Sequence, residues 1–242
     1  MKISEASWAI VDTETTGLHA DKGDRIVEFG YAHLNGGREF DSFLVRPGIP
    51  IPCVTSAIHH ITDVDVLDPR VPSWNGAMQR IPTLFTPETV FVAHNALFDY
   101  SFLPCLANRR WLCTKRLAKH LFPDAPGHSN QVLRYFFGGA KLDLGGIAPH
   151  RALADCVVTR FVFEKLIEKY LELGHEDSQD ALISFAAAPF TVQNIPFGKY
   201  KGRKLADVPR DYIAWCLNTM TDLDPDLRIQ MTAIFAGPHT SR

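Results

Sequence analysis

Ala9-Ile10-Val11-Asp12-Thr13-Glu14-Thr15-Thr16-Gly17-Leu18 sets two carboxylates two residues apart at the end of an apolar run. Successive side chains of a strand point to opposite faces, so a strand here directs Ile10, Asp12 and Glu14 to the same side. Two anions on one half-buried face repel each other and lack the water each requires. A bound cation resolves that conflict, and acidic oxygens are the ligands that hard divalent ions prefer. Thr15-Thr16-Gly17 then reads as a turn out of the strand.

Outward from this stretch, Ser7 to Asp12, Arg25 to Leu34 and Glu39 to Val45 read as three strands, the last two joined at Asn35-Gly36-Gly37, a hairpin signal. Pro47 to Pro87 is broken by prolines and reads as loop with short helices. Val90-Phe91-Val92-Ala93 and Trp111-Leu112-Cys113 read as buried strands. Helices are expected at Leu97 to Leu106, Thr114 to Leu121, Ser129 to Phe137 and Arg151 to Leu173. Strands first and strand-helix alternation after them predict an α/β fold, a mixed five-stranded sheet flanked by helices. Composition turns polar at Gly174, a short apolar helix follows, and Ala186-Ala187-Ala188-Pro189 reads as a stop. The expected division is a domain over 5–174, a linker over 175–189 and a small basic module over 190–238. That module is too short to be comfortably stable alone and is expected to pack on the first domain.

The chain has 242 residues, 46% of them hydrophobic, and a formal net charge of -2. Without overall basicity, any contact with nucleic acid must be local. Five cysteines form no CxxC pair, which predicts buried thiols in a reducing cytoplasm. No signal-peptide layout and no membrane-length apolar run are present in the sequence, so no membrane partner is expected.

Further carboxylates are found by context. Asp99, in His94-Asn95-Ala96-Leu97-Phe98-Asp99, follows the end of a strand, where ligands of α/β sheets gather. Asp155, five residues after His150, precedes Val158, Phe161, Val162 and Leu166, the apolar stripe of a long helix, and so shares its inward face. The same His-to-Asp spacing recurs at His19/Asp24, His60/Asp65, His94/Asp99 and His175/Asp180, so spacing alone carries no weight. Asp180 sits in a polar connector and is rejected. Asp12, Glu14, Asp99 and Asp155 converging on one pocket call for about two divalent cations. Such a pair clamps an in-line phosphoryl displacement, with His150 able to take a proton from water near neutral pH. The pocket reads as phosphodiester hydrolysis.

Asp12-Thr13-Glu14-Thr15-Thr16-Gly17, His94-Asn95-Ala96-Leu97-Phe98-Asp99 and His150 with Asp155, in this order and spacing, resemble the three motifs of DnaQ-like DEDDh exonucleases. The resemblance covers roughly residues 7 to 173. It implies a ribonuclease H-like fold and removal of nucleotides from 3′ ends with two Mg2+ ions, for which Mn2+ substitutes. It implies Asp12 bridging both metals, Glu14, Asp99 and Asp155 completing their shells, and His150 as general base. It also implies that a backbone amide near Thr15 and the Leu18 side chain grip the terminal sugar and base, with Phe98 packing beside them. Ala57-Ile58-His59-His60-Ile61-Thr62 matches a family loop commonly reading His-Gly-Ile-Thr, with His59 the expected substrate contact and His60 in place of glycine. Zinc is disfavoured because no cysteine pair accompanies the histidines.

Phe197-Gly198-Lys199-Tyr200-Lys201-Gly202-Arg203-Lys204 interleaves four cations with two aromatics, so Lys199 and Lys201 are candidates for a DNA contact. A second basic cluster, Arg109, Arg110, Lys115, Arg116 and Lys119, reads mainly as a solvated helix face. Tyr212 and Trp215 are expected in the core of the small module. This arrangement is similar to a bacterial branch of the family acting on single-stranded and duplex DNA ends, which favours DNA with a free 3′ end, in repair or recombination. The alternatives are a proofreading subunit of a DNA polymerase, an RNA-trimming enzyme of the same fold and a catalytically dead nucleic-acid binder.

Overall fold

Apolar residues on both sides of one strand fix the architecture. In the computed structural model, which describes residues 1–34, 40–144, 146–147, 150–220 and 223–237, that strand is β1 (Trp8–Thr15). With β2 (Ile26–His33), β3 (Phe40–Leu44), β4 (Val90–Ala93) and β5 (Trp111–Cys113) it forms a five-stranded sheet in the order β3-β2-β1-β4-β5. β1 pairs antiparallel with β2 and parallel with β4, so the sheet is mixed, as expected. β1 continues to Thr15, past the end expected at Asp12, because its ladder with β2 runs on through Glu14–Glu28 and Thr15–Ile26. The hairpin signal Asn35-Gly36-Gly37 lies outside the described residues.

Helices cover both faces. α1 (Cys53–His59), α2 (Trp74–Arg80), α3 (Leu97–Phe102), α4 (Thr114–Leu121), α5 (Asn130–Phe136), α6 (Ala152–Glu172) and α7 (Gln179–Ala187) follow in chain order. Trp8 and Ile10 of β1 pack with Leu117 of α4, Leu133 of α5, Val158, Val162, Phe163 and Leu166 of α6, and Leu182 of α7. Trp8 meets Phe163 edge-on at 5.4 Å. Ala9 and Val11 turn to the other face, against Phe29, Phe91, Ala77, Ile81 and Phe102. Each such aliphatic or aromatic side chain contributes about 1.5–3 kcal/mol on full burial, which outweighs the weak helix propensity of the β-branched residues in α6. α3 is shorter than expected: it ends at Phe102 and a 3-10 turn over Pro104–Leu106 takes over. Pro104 cannot donate to a continuing ladder.

The chain divides into two compact units, Met1–Ala187 and Ala188–Arg242. The stretch expected as a linker holds α7, whose Leu182 and Ala186 belong to the first unit's core. The second unit contains α8 (Arg210–Thr219) and α9 (Pro225–Ala236). Asp224 caps α9, accepting from the Asp226 and Leu227 amides. Its core is Ile195, Leu205, Val208, Ile213, Cys216, Leu223, Leu227 and Met231. Trp215 does not belong to it. That residue is 52% exposed, against the expectation, because Ile213 and Cys216 take the inward face of α8 instead. The thiols also differ from the expected pattern: Cys156 and Cys216 are buried, Cys105 and Cys113 half-buried, and Cys53 is exposed at the start of α1. Among the described residues no helix is long and apolar enough to cross a membrane.

Candidate metal centre

A missing side chain brings the acidic groups together. Asp12 stands opposite Gly30 in the β1–β2 ladder. A Cβ on Gly30 would lie 2.6 Å from the Ala152 carbonyl carbon, so glycine lets the first turn of α6 sit directly against the sheet. Glu28, two residues earlier on the same face and 1% exposed, fastens that turn. It accepts from Arg151 Nε at 2.9 Å, Arg151 Nη2 at 2.8 Å and the Ala152 amide at 3.0 Å. A bidentate guanidinium pair plus an amide at a helix N-terminus is a strong, directional anchor. One turn further along α6 comes Asp155, whose Oδ1 accepts from Gln131 Nε2 at 3.3 Å.

Ligand oxygens of Asp12, Glu14 and Asp155 consequently lie within 4.8 Å of one another. Asp99, from α3, lies outside that group but near enough for its charge to raise Asp12. Asn95, with φ 71°, turns the chain sharply out of β4, and Asp99 in the first turn of α3 accepts from the Thr13 hydroxyl at 2.8 Å. Asp99 is 3% exposed.

Repulsion and burial both act on these groups. Burial raises the Asp12 carboxyl well above the usual carboxylate range, and Asp99, Asp155, Glu14 and Glu28 add to the effect. Burial, then Asp155 and Glu28, takes Glu14 up to about 8. Burial takes Asp99 up to about 7 against the opposing Thr13 hydroxyl. Asp155 is raised by burial, while His150 and Gln131 pull it back. At neutral pH the set therefore holds protons or a cation, and four carboxylates are hard oxygen donors suited to divalent magnesium or manganese. The donor set fits such ions.

The remaining predicted residues surround this centre unevenly. His150 is exposed, has φ 60°, and precedes Arg151 at the N-terminus of α6. Thr15 is buried, its hydroxyl donating to the Gly17 carbonyl at 2.6 Å. Leu18 is 74% exposed on a turn held by Asp24, which accepts from the Thr16 hydroxyl and the His19 amide. Phe98 is half-buried and packs on Phe102 at 4.9 Å. His59 is 2% exposed; its Nδ1 accepts from the Ile61 amide at 3.0 Å, while Nε2 has no hydrogen-bond partner among the described residues. Burial lowers its pKa. His60 does adopt the left-handed conformation the glycine would have supplied, φ 60° and ψ 25°, ending α1. His94 is structural: Nδ1 pairs with the Thr114 hydroxyl at 2.9 Å and Nε2 with the His128 carbonyl at 2.8 Å, and burial lowers its pKa to about 4.

Lys199 and Lys201 are exposed in the second unit. In the second basic cluster, Arg109 donates to the Thr86 carbonyl, Arg110 pairs with the rejected Asp180, and Arg116 donates to the Ala186 and Ala187 carbonyls. Sequence reasoning missed Glu28, Gly30, Thr13 and Gln131. A glutamate two residues before a glycine inside an apolar strand was the one signal available.

A sheet of this topology carrying clustered carboxylates at the ends of β1, α3 and α6 defines a ribonuclease H-like nuclease fold, and a family model described as exonuclease matches residues 9–163. The chain belongs to this exonuclease family. It is 35% identical to exodeoxyribonuclease 10 of Escherichia coli over 92% of this chain and 96% of that protein. A structure of exonuclease X with 5′-overhanging duplex DNA superposes with a TM-score of 0.58 at 32% identity, covering 74% of this chain and 99% of that one. Escherichia coli exonuclease I with a dT13 oligonucleotide shares the fold at 15% identity, TM-score 0.62, covering 98% of this chain and 75% of that one. A second model, whose description names a quorum-sensing-regulated virulence factor, matches residues 188–220.

Proposed function

We propose that the protein is a DNA exonuclease that removes nucleoside 5′-monophosphates from 3′ ends, acting in the cytoplasm in DNA repair or recombination. The observation that carries this reading is the convergence of Asp12, Glu14 and Asp155, with Asp99 beside them, on one small volume. DNA is favoured by the relatives named above, and 3′-to-5′ polarity by the motif resemblance.

Asp12, Glu14, Asp99 and Asp155 would hold the Mg2+ ions. When bound, such ions acidify water and stabilise charge on both sides of an in-line displacement at phosphorus. His150, exposed beside Asp155, would accept the proton of the attacking water as general base. Arg151 and Glu28 hold the start of α6, which carries Asp155 to Asp12. The main chain near Thr15, Leu18 on its exposed turn and Phe98 position the terminal nucleotide. His59, buried beside the Thr15 main chain, joins this grip on the substrate. Lys199 and Lys201 of the second unit contact DNA.

The test is a digestion series with 5′- and 3′-labelled oligonucleotides in Mg2+, Mn2+ or EDTA. Nucleoside 5′-monophosphates should appear only with metal. Asp12→Ala should lower turnover by roughly three orders of magnitude or more, as expected for removing a group acting on transition-state charge, with DNA binding largely retained. Undiminished turnover in that variant refutes the mechanism.

A further inference from the structure

The second unit buries a core of aliphatic residues and leaves its tryptophan out. Trp215 is 52% exposed on α8, and its ring lies 5.6 Å from Tyr212 at 32°. Tyr212 in turn meets Tyr200 edge-on at 4.8 Å. Tyr200 carries Lys199 Nζ and Arg203 Cζ over its ring, each 5.4 Å from the centroid. One run of three rings thus links the exposed face of α8 to the basic turn.

That turn is fixed, not loose. The Ile195 amide donates to the Arg203 carbonyl at 2.9 Å, Gly202 to Ile195 at 2.8 Å and Leu205 to Gln193 at 2.8 Å. Gly198 has φ 64°, and a Cβ there would meet the Tyr212 hydroxyl at 2.2 Å, so the tip of the turn is seated on α8. Lys199, Lys201, Arg203 and Lys204 are all exposed. Between residues 197 and 215 five cations face two carboxylates, Asp207 and Asp211, in a chain of net charge -2.

We propose that Trp215, Tyr212 and the 199–204 turn form a single-stranded DNA site, in which an unpaired base stacks on Trp215 and the adjoining phosphates lie along Lys199, Lys201 and Arg203. The proposal rests on the DNA-exonuclease reading for its choice of polymer. It differs in assigning affinity to an aromatic side chain that no carboxylate motif involves. Local charge complementarity selects a polyanion, and the exposed ring selects unpaired bases over a closed duplex, whose base faces are already stacked.

The test is fluorescence anisotropy of a 5′-fluorescein oligothymidylate with the full chain in EDTA, where hydrolysis does not intervene. Trp215→Ala should weaken binding about tenfold, the effect of losing roughly 1.4 kcal/mol of base stacking. Trp215→Phe, which keeps a ring on a half-exposed position, should restore it to within about threefold of the parent. Lys199→Ala/Lys201→Ala should lower the slope of log K against log salt by about 1.4. Affinity of Trp215→Ala within about twofold of the parent, or an unaltered salt slope, overturns the proposal, the former leaving Trp215 to a protein partner. Separately, Mn2+-dependent hydrolysis of thymidine 5′-(p-nitrophenyl phosphate) by the parent reports on the nuclease reading alone, because that ester has a single base. Its absence refutes the nuclease reading without bearing on metal-free binding.

Discussion

Asp12 illustrates how a single side chain is made functional by being badly placed. Burial and four neighbouring carboxylates raise it, and Glu14 reaches about 8 and Asp99 about 7. Unfolded carboxyls release their protons near pH 4. Between there and pH about 8 the folded, metal-free chain therefore binds more protons than the unfolded one, so this contribution to stability is present at low pH and lost as pH rises. Melting in EDTA should show a midpoint that falls from pH 5 to pH 8. Mn2+ should flatten that slope, since a cation then replaces the protons. A midpoint rising with pH in EDTA would contradict the placement of these groups. Asp12→Asn should raise the EDTA midpoint at pH 8 by about 2–4 °C for each kcal/mol of relieved repulsion, while abolishing turnover. His60→Gly should stabilise the chain by about 0.5–1 kcal/mol, read by urea unfolding, because glycine has no Cβ to strain at φ 60°. Asp12, Glu14 and Asp155, the acids that converge, were legible because charge beside an apolar run is conspicuous in sequence. Glu28 was not, because its partners lie 123 and 124 positions away.

At the scale of elements, the placement of α6 decides the geometry of the centre. Gly30→Val would drive a side chain into Ala152 and push Asp155 away from Asp12. A displacement near 1 Å costs on the order of a hundredfold in rate. Turnover should fall accordingly, and calorimetry should find weaker Mn2+ binding, with far-ultraviolet dichroism unchanged. Parental turnover would mean that α6 tolerates the shift. Helix limits were readable from apolar periodicity: α4 begins and ends where expected, and α6 within one residue at each end. Trp215 was misread because an aromatic at helical spacing looks alike whether it faces core or solvent. Only the competition of Ile213 and Cys216 for the inward side settles that. The end of β1 was set too early because Asp12 and Glu14 are poor strand signals, whereas the ladder to β2 keeps Thr13 to Thr15 extended.

On the scale of the molecule, the carboxylates and their supports all lie in the unit Met1–Ala187, which has its own core. Deleting Pro189 to Arg242 should leave metal-dependent cleavage of thymidine 5′-(p-nitrophenyl phosphate) near the parental rate, while affinity for long oligonucleotides drops. Loss of ester cleavage with the fold intact would show that the second unit completes the centre. The sheet was legible as a whole because β and α patterns alternate, and the stop at Ala186 to Pro189 coincides with the division after Ala187, but that α7 packs into the first unit through Leu182 was not readable from a short apolar helix alone. The four acids span residues 12 to 155, and Asp155 reaches its neighbours only after α6 has docked over Gly30. During synthesis, a nascent polypeptide still lacking α6 cannot assemble the cluster. Chain order alone thus defers assembly of the acidic cluster until most of the first unit has been synthesised.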